Sequence, residues 1–336
     1  MSALSNLLIP AVLFFALGFI ARVIKSDLRF PQDLAKMLSI YLLIAIGLHG
    51  GYELGKADLG MAFNAVLWAV ILGFTLPLIG YALLLVTRRV DRMNAAAIAA
   101  HYGSVSAGTF LTAIAYLDSA GIDYESYPVI MLAVMESPAI IVGLLLAAWS
   151  RRQLAGTNPE GVNGGFDEDN GGGRWKALAH EALTNGSVVL LLGSMVIGAI
   201  STPGSMEKLS PFIDDIFMGV LCLFLFEMGM EAARRIREFR KVGPVLVAFG
   251  LVMPLIGGAV GITVGHWVLG MGVGGATLVA VLGASASYIA VPPAMLLAVP
   301  EANPSFYLTL ALGITFPFNV VIGIPLYHHV ATLVAA

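Results

Sequence analysis

Apolar residues run through this chain in stretches that are too long for strands and too continuous for amphipathic surface helices. Ten of them approach or exceed the ~20 residues needed to cross a bilayer as a helix. They fall near 6–24, 33–51, 61–87, 94–118, 127–149, 179–200, 211–233, 243–269, 272–298 and 304–330. The pattern predicts an all-α membrane protein with ten transmembrane helices. The first stretch is not read as a signal peptide, because no basic residue precedes its long apolar run.

Two of the ten are interrupted by small and polar residues at their centres. In the fourth the interruption reads HYGSVSAGTF (101–110), and in the ninth GASASYIAVPP (283–293). Gly, Ser and adjacent prolines at mid-span predict two half-helices joined by unwound chain. A kinked helix with small residues at a packing interface is the plainer alternative.

Composition supports a membrane class. Of 336 residues, 58% are apolar and 12% charged, with a formal charge of −3. That is about half the charged fraction of a soluble domain, and it excludes the basic surface of a nucleic-acid binder. One cysteine, Cys222, leaves neither a disulfide framework nor a cysteine metal site. Of the 18 basic residues, 16 lie in alternate loops, with only Lys56 and Lys208 on the other side. By the positive-inside rule those loops are cytoplasmic. Both termini are then expected outside the cell, in a multi-pass inner-membrane arrangement.

Residues 151–176 (RRQLAGTNPEGVNGGFDEDNGGGRWK) are rich in glycine and acidic residues and lack apolar periodicity, which predicts a disordered cytoplasmic linker. It separates two halves, 1–150 and 177–336. Three collinear blocks relate them: Pro77 to Pro254, GSVSAG (103–108) to GASASY (283–288), and MESPAIIVGLLL (135–146) to ITFPFNVVIGIP (314–325). The offsets are 177, 180 and 179 residues, the mark of an internal repeat. Five spans per half is odd, so the repeat is expected to be inverted, with a binding site where its halves meet near the midplane.

Half-helices starting near 109 and 291 would present unpaired amides and roughly +0.5 of a charge each to that site. Two such N-termini facing one another make an anion cradle. The expected substrate contacts are Ser106, Ala107, Gly108, Thr109, Ser287, Tyr288 and Ile289. Hydroxyls and unwound carbonyls with a carboxylate suit Na⁺. Its expected ligands are Ser104, Ser106, Thr109, Glu136, Ser285 and Ser287. For each hydroxyl taken alone, helix capping is the simpler role.

Glu136, a third of the way into the fifth span, is costly there and hence a functional candidate, with a protonated, hydrogen-bonded acid as the alternative. Pro138 frees a carbonyl nearby. Glu231 reads as part of an interfacial ion-pair cluster with Arg234 and Arg235, while Glu227, one turn deeper, reads either way. His49 and His101 read as core histidines, with proton coupling open for His101.

The stretches IGLHGG (46–51), GSVSAGT (103–109), MESPA (135–139), MGMEA (228–232), RKVG (240–243) and PPAMLLAVPEANPS (292–305) resemble the sodium-dependent bicarbonate transporter family best known from cyanobacteria. The resemblance runs along nearly the whole chain except the 151–176 linker. It implies Na⁺-driven bicarbonate uptake, ten helices in an inverted five-plus-five arrangement, a core domain moving against a gate domain, and a homotrimer. A PII-like regulatory protein on the cytoplasmic face is implied as a partner, with no cofactor beyond Na⁺ as coupling ion. Ser106 and Thr109 match a serine and a threonine of the family pattern. Glu136 stands where the pattern has aspartate, and Tyr288 replaces another aspartate. Glu227 matches no acidic position.

These readings favour a Na⁺-coupled bicarbonate symporter. A Na⁺- or H⁺-coupled carrier of another small monovalent anion or monocarboxylate is the alternative. No arginine is expected at membrane depth, which disfavours a dicarboxylate clamp. An enzyme is not expected: the one base for a nucleophilic Ser285 or Ser287 would be His266, which falls near the end of the eighth span.

Overall fold

The computed structural model describes residues 9–28, 30–157, 186–236, 239–289 and 291–336. Among them every regular element is helical, with no strand. Thirteen helices are used below. α1 (Pro10–Val23), α2 (Gln32–Leu54), α3 (Leu59–Val86), α4 (Arg92–Gly103), α5 (Ala107–Ala120) and α6 (Tyr127–Thr157) form the first half. α7 (Gly186–Ile200), α8 (Pro203–Ser210), α9 (Phe217–Ile236), α10 (Phe239–Ile262), α11 (Val273–Ala284), α12 (Val291–Ala298) and α13 (Pro304–Ala335) form the second. Among the described residues, six apolar helical stretches are long enough to cross a membrane: 33–54, 59–86, 127–153, 203–235, 243–268 and 304–335. The protein is a multi-pass membrane protein.

Helix limits follow from local chemistry. Pro10 begins α1 where its missing N–H costs nothing. Asp58 and Asp91 cap α3 and α4, the first accepting from Met61 N at 2.8 Å, the second from Met93 N and Asn94 N at 3.1 and 3.0 Å. α5 ends at Gly121 in the left-handed conformation, φ 64°. Gly243, φ 79°, interrupts the start of α10 ahead of Pro244. α6 runs on to Thr157, and residues 158–176 of the segment read as a linker lie outside the described residues.

Two groups of helices emerge from the packing. α1 lies along α9 and α2 along α7, and α9 also touches α2 and, across to the other group, α13. In the other group α3 packs on α6 and α4, α4 on α6, and α10 on α11 and α13. Large apolar side chains point outward from α1 (Leu13, Leu17, Ile20), α3 (Phe63, Leu67, Leu78) and α7 (Val196, Ile197, Ile200), a surface suited to lipid.

The innermost helices are rich in small residues. Every residue from Met93 to Gly103, from Gly108 to Leu117 and from Gly274 to Ala284 is buried. Their alanines, glycines and threonines let neighbouring backbones close in, which is how helices gain contact where lipid offers no hydrophobic drive. At Gly283 the approach is close: an added Cβ would overlap the carbonyl of Gly257 on α10.

Candidate functional site

Helix stops at Gly103 and restarts at Ala107, and it stops again at Ala284 and restarts at Val291. Ser104 (φ −90°, ψ 175°), Ser106 (φ −111°, ψ 108°) and Ser285 (φ −86°, ψ 165°) are extended. The two interruptions meet. Ser106 N donates to Ser285 Oγ at 3.0 Å, and Ser287 N donates to the His101 carbonyl at 2.8 Å. Ser285 Oγ in turn donates to Leu282 O at 3.0 Å. Asn319, on α13, supports the end of α11 by donating from Nδ2 to Ala284 O at 2.8 Å, while Tyr327 OH donates to its Oδ1 at 3.0 Å.

Ser106 is the cap of α5. Its Oγ accepts from Thr109 N at 3.2 Å and from Thr109 Oγ1 at 2.9 Å. Its own hydroxyl proton is then left to donate elsewhere. The amides of Ala107 and Gly108 lie in the first turn, where helix geometry gives them no carbonyl.

A small cavity opens beside this cap. Ser106, Ala107, Glu136, Ser287, Tyr288 and Ile289 line it, together with Leu43 and Val105, and its volume is about 10 Å³. That is room for about one water molecule. The Tyr288 hydroxyl is buried without a hydrogen-bond partner among the described residues, as is Glu136 Oε2. A Cβ placed on Gly108 would strike that hydroxyl and lie 3.0 Å from Phe224 and 3.3 Å from Phe316. Tyr288 therefore fills the space in front of the α5 amides.

Pro138 sits inside α6, two residues beyond Glu136, and cannot donate to the carbonyl of Val134. A carboxylate oxygen and a backbone carbonyl deprived of its usual helical donor thus come from one stretch of α6. No basic side chain lines the cavity.

The residues named from the sequence separate into two groups. Ser106, Ala107, Glu136, Ser287, Tyr288 and Ile289 share the cavity wall. Thr109 and Ser285 do not line it; their hydroxyls hold Ser106 in place. Gly108 bounds Tyr288, and the hydroxyl of Ser104 is buried and unpartnered outside the lining. Sequence reasoning missed Leu43, Val105 and Asn319. Asn319 carried a signal, an amide two residues after Pro317 in an apolar span, whereas Leu43 and Val105 carried none.

The histidines are elsewhere. His101 donates from Nδ1 to Ala97 O at 2.7 Å and stacks on Tyr307 with ring centroids 4.3 Å apart. His49 lies 3.4 Å from Asp214 with both side chains about half exposed. His266 belongs to the π-helical segment Thr263–Val268 after α10 and is not part of the cavity lining.

At the far end of α12, Arg151 fixes the short helix. Its Nε and Nη2 reach Glu301 at 2.8 and 2.7 Å, and Nη2 also donates to Ala298 O at 2.9 Å. A cation on the last carbonyls complements the dipole whose positive end begins at Val291.

No curated protein matches the chain. A family model does: that of the Na⁺-dependent bicarbonate transporter superfamily aligns with residues 10–332, nearly the whole length. Helices that stop and restart around a closed, polar, arginine-free pocket are consistent with such a carrier, the resemblance carried by stretches such as PPAMLLAVPEANPS is upheld, and the chain belongs to the Na⁺-dependent bicarbonate transporter superfamily.

Proposed function

We propose that the chain is a secondary active transporter that carries bicarbonate into the cell together with Na⁺. The observation that carries this reading is the meeting of the two helix interruptions at one pocket holding Ser106, Glu136, Ser287 and Tyr288. Bicarbonate is small, planar and singly charged. Backbone amides at Ala107 and Gly108 with the Ser106 and Ser287 hydroxyls suit it without arginine. Na⁺ wants oxygen ligands, and Glu136 Oε2 with the Val134 carbonyl offers them next to the anion, where the two charges offset each other.

In this conformation the pocket is closed around the Tyr288 hydroxyl, which stands where an oxyanion would accept the α5 amides. Bicarbonate entry then requires Tyr288 to swing aside. The ten crossings form an inverted five-plus-five repeat in this reading. Its support is the reciprocal pairing of α1 with α9 and of α7 with α2, the first and second spans of each half crossing over to the other half.

Uptake of labelled bicarbonate into proteoliposomes tests the proposal. Uptake should depend on a Na⁺ gradient, and Glu136→Gln should raise the Na⁺ concentration for half-maximal rate without impairing insertion. Uptake that ignores Na⁺, or transport of other monocarboxylates in place of bicarbonate, would overturn it.

A further inference from the structure

A second, larger cavity of about 470 Å³ lies on the other side of Tyr288. Leu43, Tyr288 and Ile289 belong to the walls of both cavities, so these three side chains are the partition between them. The larger cavity runs from there to Lys36 on α2, an exposed residue of the basic loop side. Ser39 lines it from α2 and Glu227 from α9.

The two glutamates of α9 differ in their surroundings. Glu231 Oε1 accepts from Arg234 Nη2 at 2.7 Å and from Arg235 Nε at 2.9 Å, so its charge is matched. Glu227 is one turn deeper, and its Oε2 is buried with no hydrogen-bond partner among the described residues. The other polar groups facing that cavity are the Lys36 ammonium at its rim and the hydroxyls of Ser39 and Tyr288. A carboxylate left unpaired at this depth is expensive unless a cation joins it. The space beside it is large enough for a hydrated ion, and the hydroxyl of Ser39 adds an oxygen of the kind Na⁺ takes.

We propose that Glu227 is a second Na⁺ station, in the vestibule between the basic loops and the Tyr288 partition and separate from the station at Glu136. It rests on the reading of the chain as a Na⁺-coupled carrier. One ion is held at each carboxylate, on either side of Tyr288, with Ser39 and water completing the outer shell at Glu227.

Equilibrium binding of radioactive Na⁺ to the purified full chain tests it. Two Na⁺ per chain are expected for the wild type, one for Glu227→Gln, and two again, more weakly held, for Glu227→Asp. Glu136→Gln should remove the other ion. Stoichiometry unchanged in Glu227→Gln would overturn the second station. Loss in Glu227→Gln combined with full binding in Glu136→Gln would uphold Glu227 and instead overturn the cation role given to Glu136. If Glu227→Gln does not insert, Ser39→Ala replaces it: a weakened affinity for one of two ions supports the station, and unchanged affinities overturn it.

Discussion

Gly108 and Tyr288 meet at the pocket through a hydrogen atom on one side and a hydroxyl on the other. Any side chain at Gly108 drives into the phenol oxygen and then into Phe224 and Phe316. Gly108→Val is expected to abolish uptake while the protein still reaches the membrane, since the buried α5 has no lipid-facing role. Gly108→Ala should cut uptake, and pairing it with Tyr288→Phe should restore part of the loss, because the atom struck first is gone. Uptake measured for the single and double variants checks the coupling. At this scale Ser106, Glu136, Ser287 and Tyr288 were legible in the sequence, since each is a polar or small residue where apolar ones are expected. Leu43 and Val105 were not, because an apolar wall residue looks like any other apolar residue of a span.

Among the elements, the short α12 depends on outside support. Eight residues are too few for a helix to hold by propensity. Arg151 supplies that support by binding Ala298 O and Glu301 together, from the end of a different span. Arg151→Ala is expected to destabilise the protein by roughly 1 kcal/mol, the discount reflecting that Glu301 is half exposed. It should also lower uptake through a looser α12, while Arg151→Lys restores only part because it loses the fork. Thermal unfolding in detergent and uptake at matched expression report the two effects. The interruptions themselves could be placed from glycine, serine and proline alone, and the restart at Val291 falls where the paired prolines 292 and 293 suggested. The clamp from Arg151 could not be seen, for it joins residues 147 apart whose partnership no local pattern encodes.

For the whole molecule, the pairing of α1 with α9 and α2 with α7 was likewise hidden. In lipid, helices associate through close backbone approach rather than through an apolar stripe, so periodicity names no partner. Charge placement sets an expectation instead, because loops must choose a side. On that expectation the rim of the 470 Å³ cavity at Lys36 faces the cytoplasm. A cysteine at Ile289, 41% exposed, in a Cys222→Ala background should then react with a membrane-impermeant thiol reagent added from the cytoplasmic side and be protected from the other. Reaction only from the outside would reverse the orientation.

The bonds from Ser287 to His101 and from Ser106 to Ser285 stitch the two discontinuities to each other. Shearing one past its counterpart would rupture both stitches at once in a place where water cannot replace them. For the proposed carrier the two stitched interruptions then form a single rigid basket, and α1, α2, α7 and α9 are the frame past which it is expected to travel.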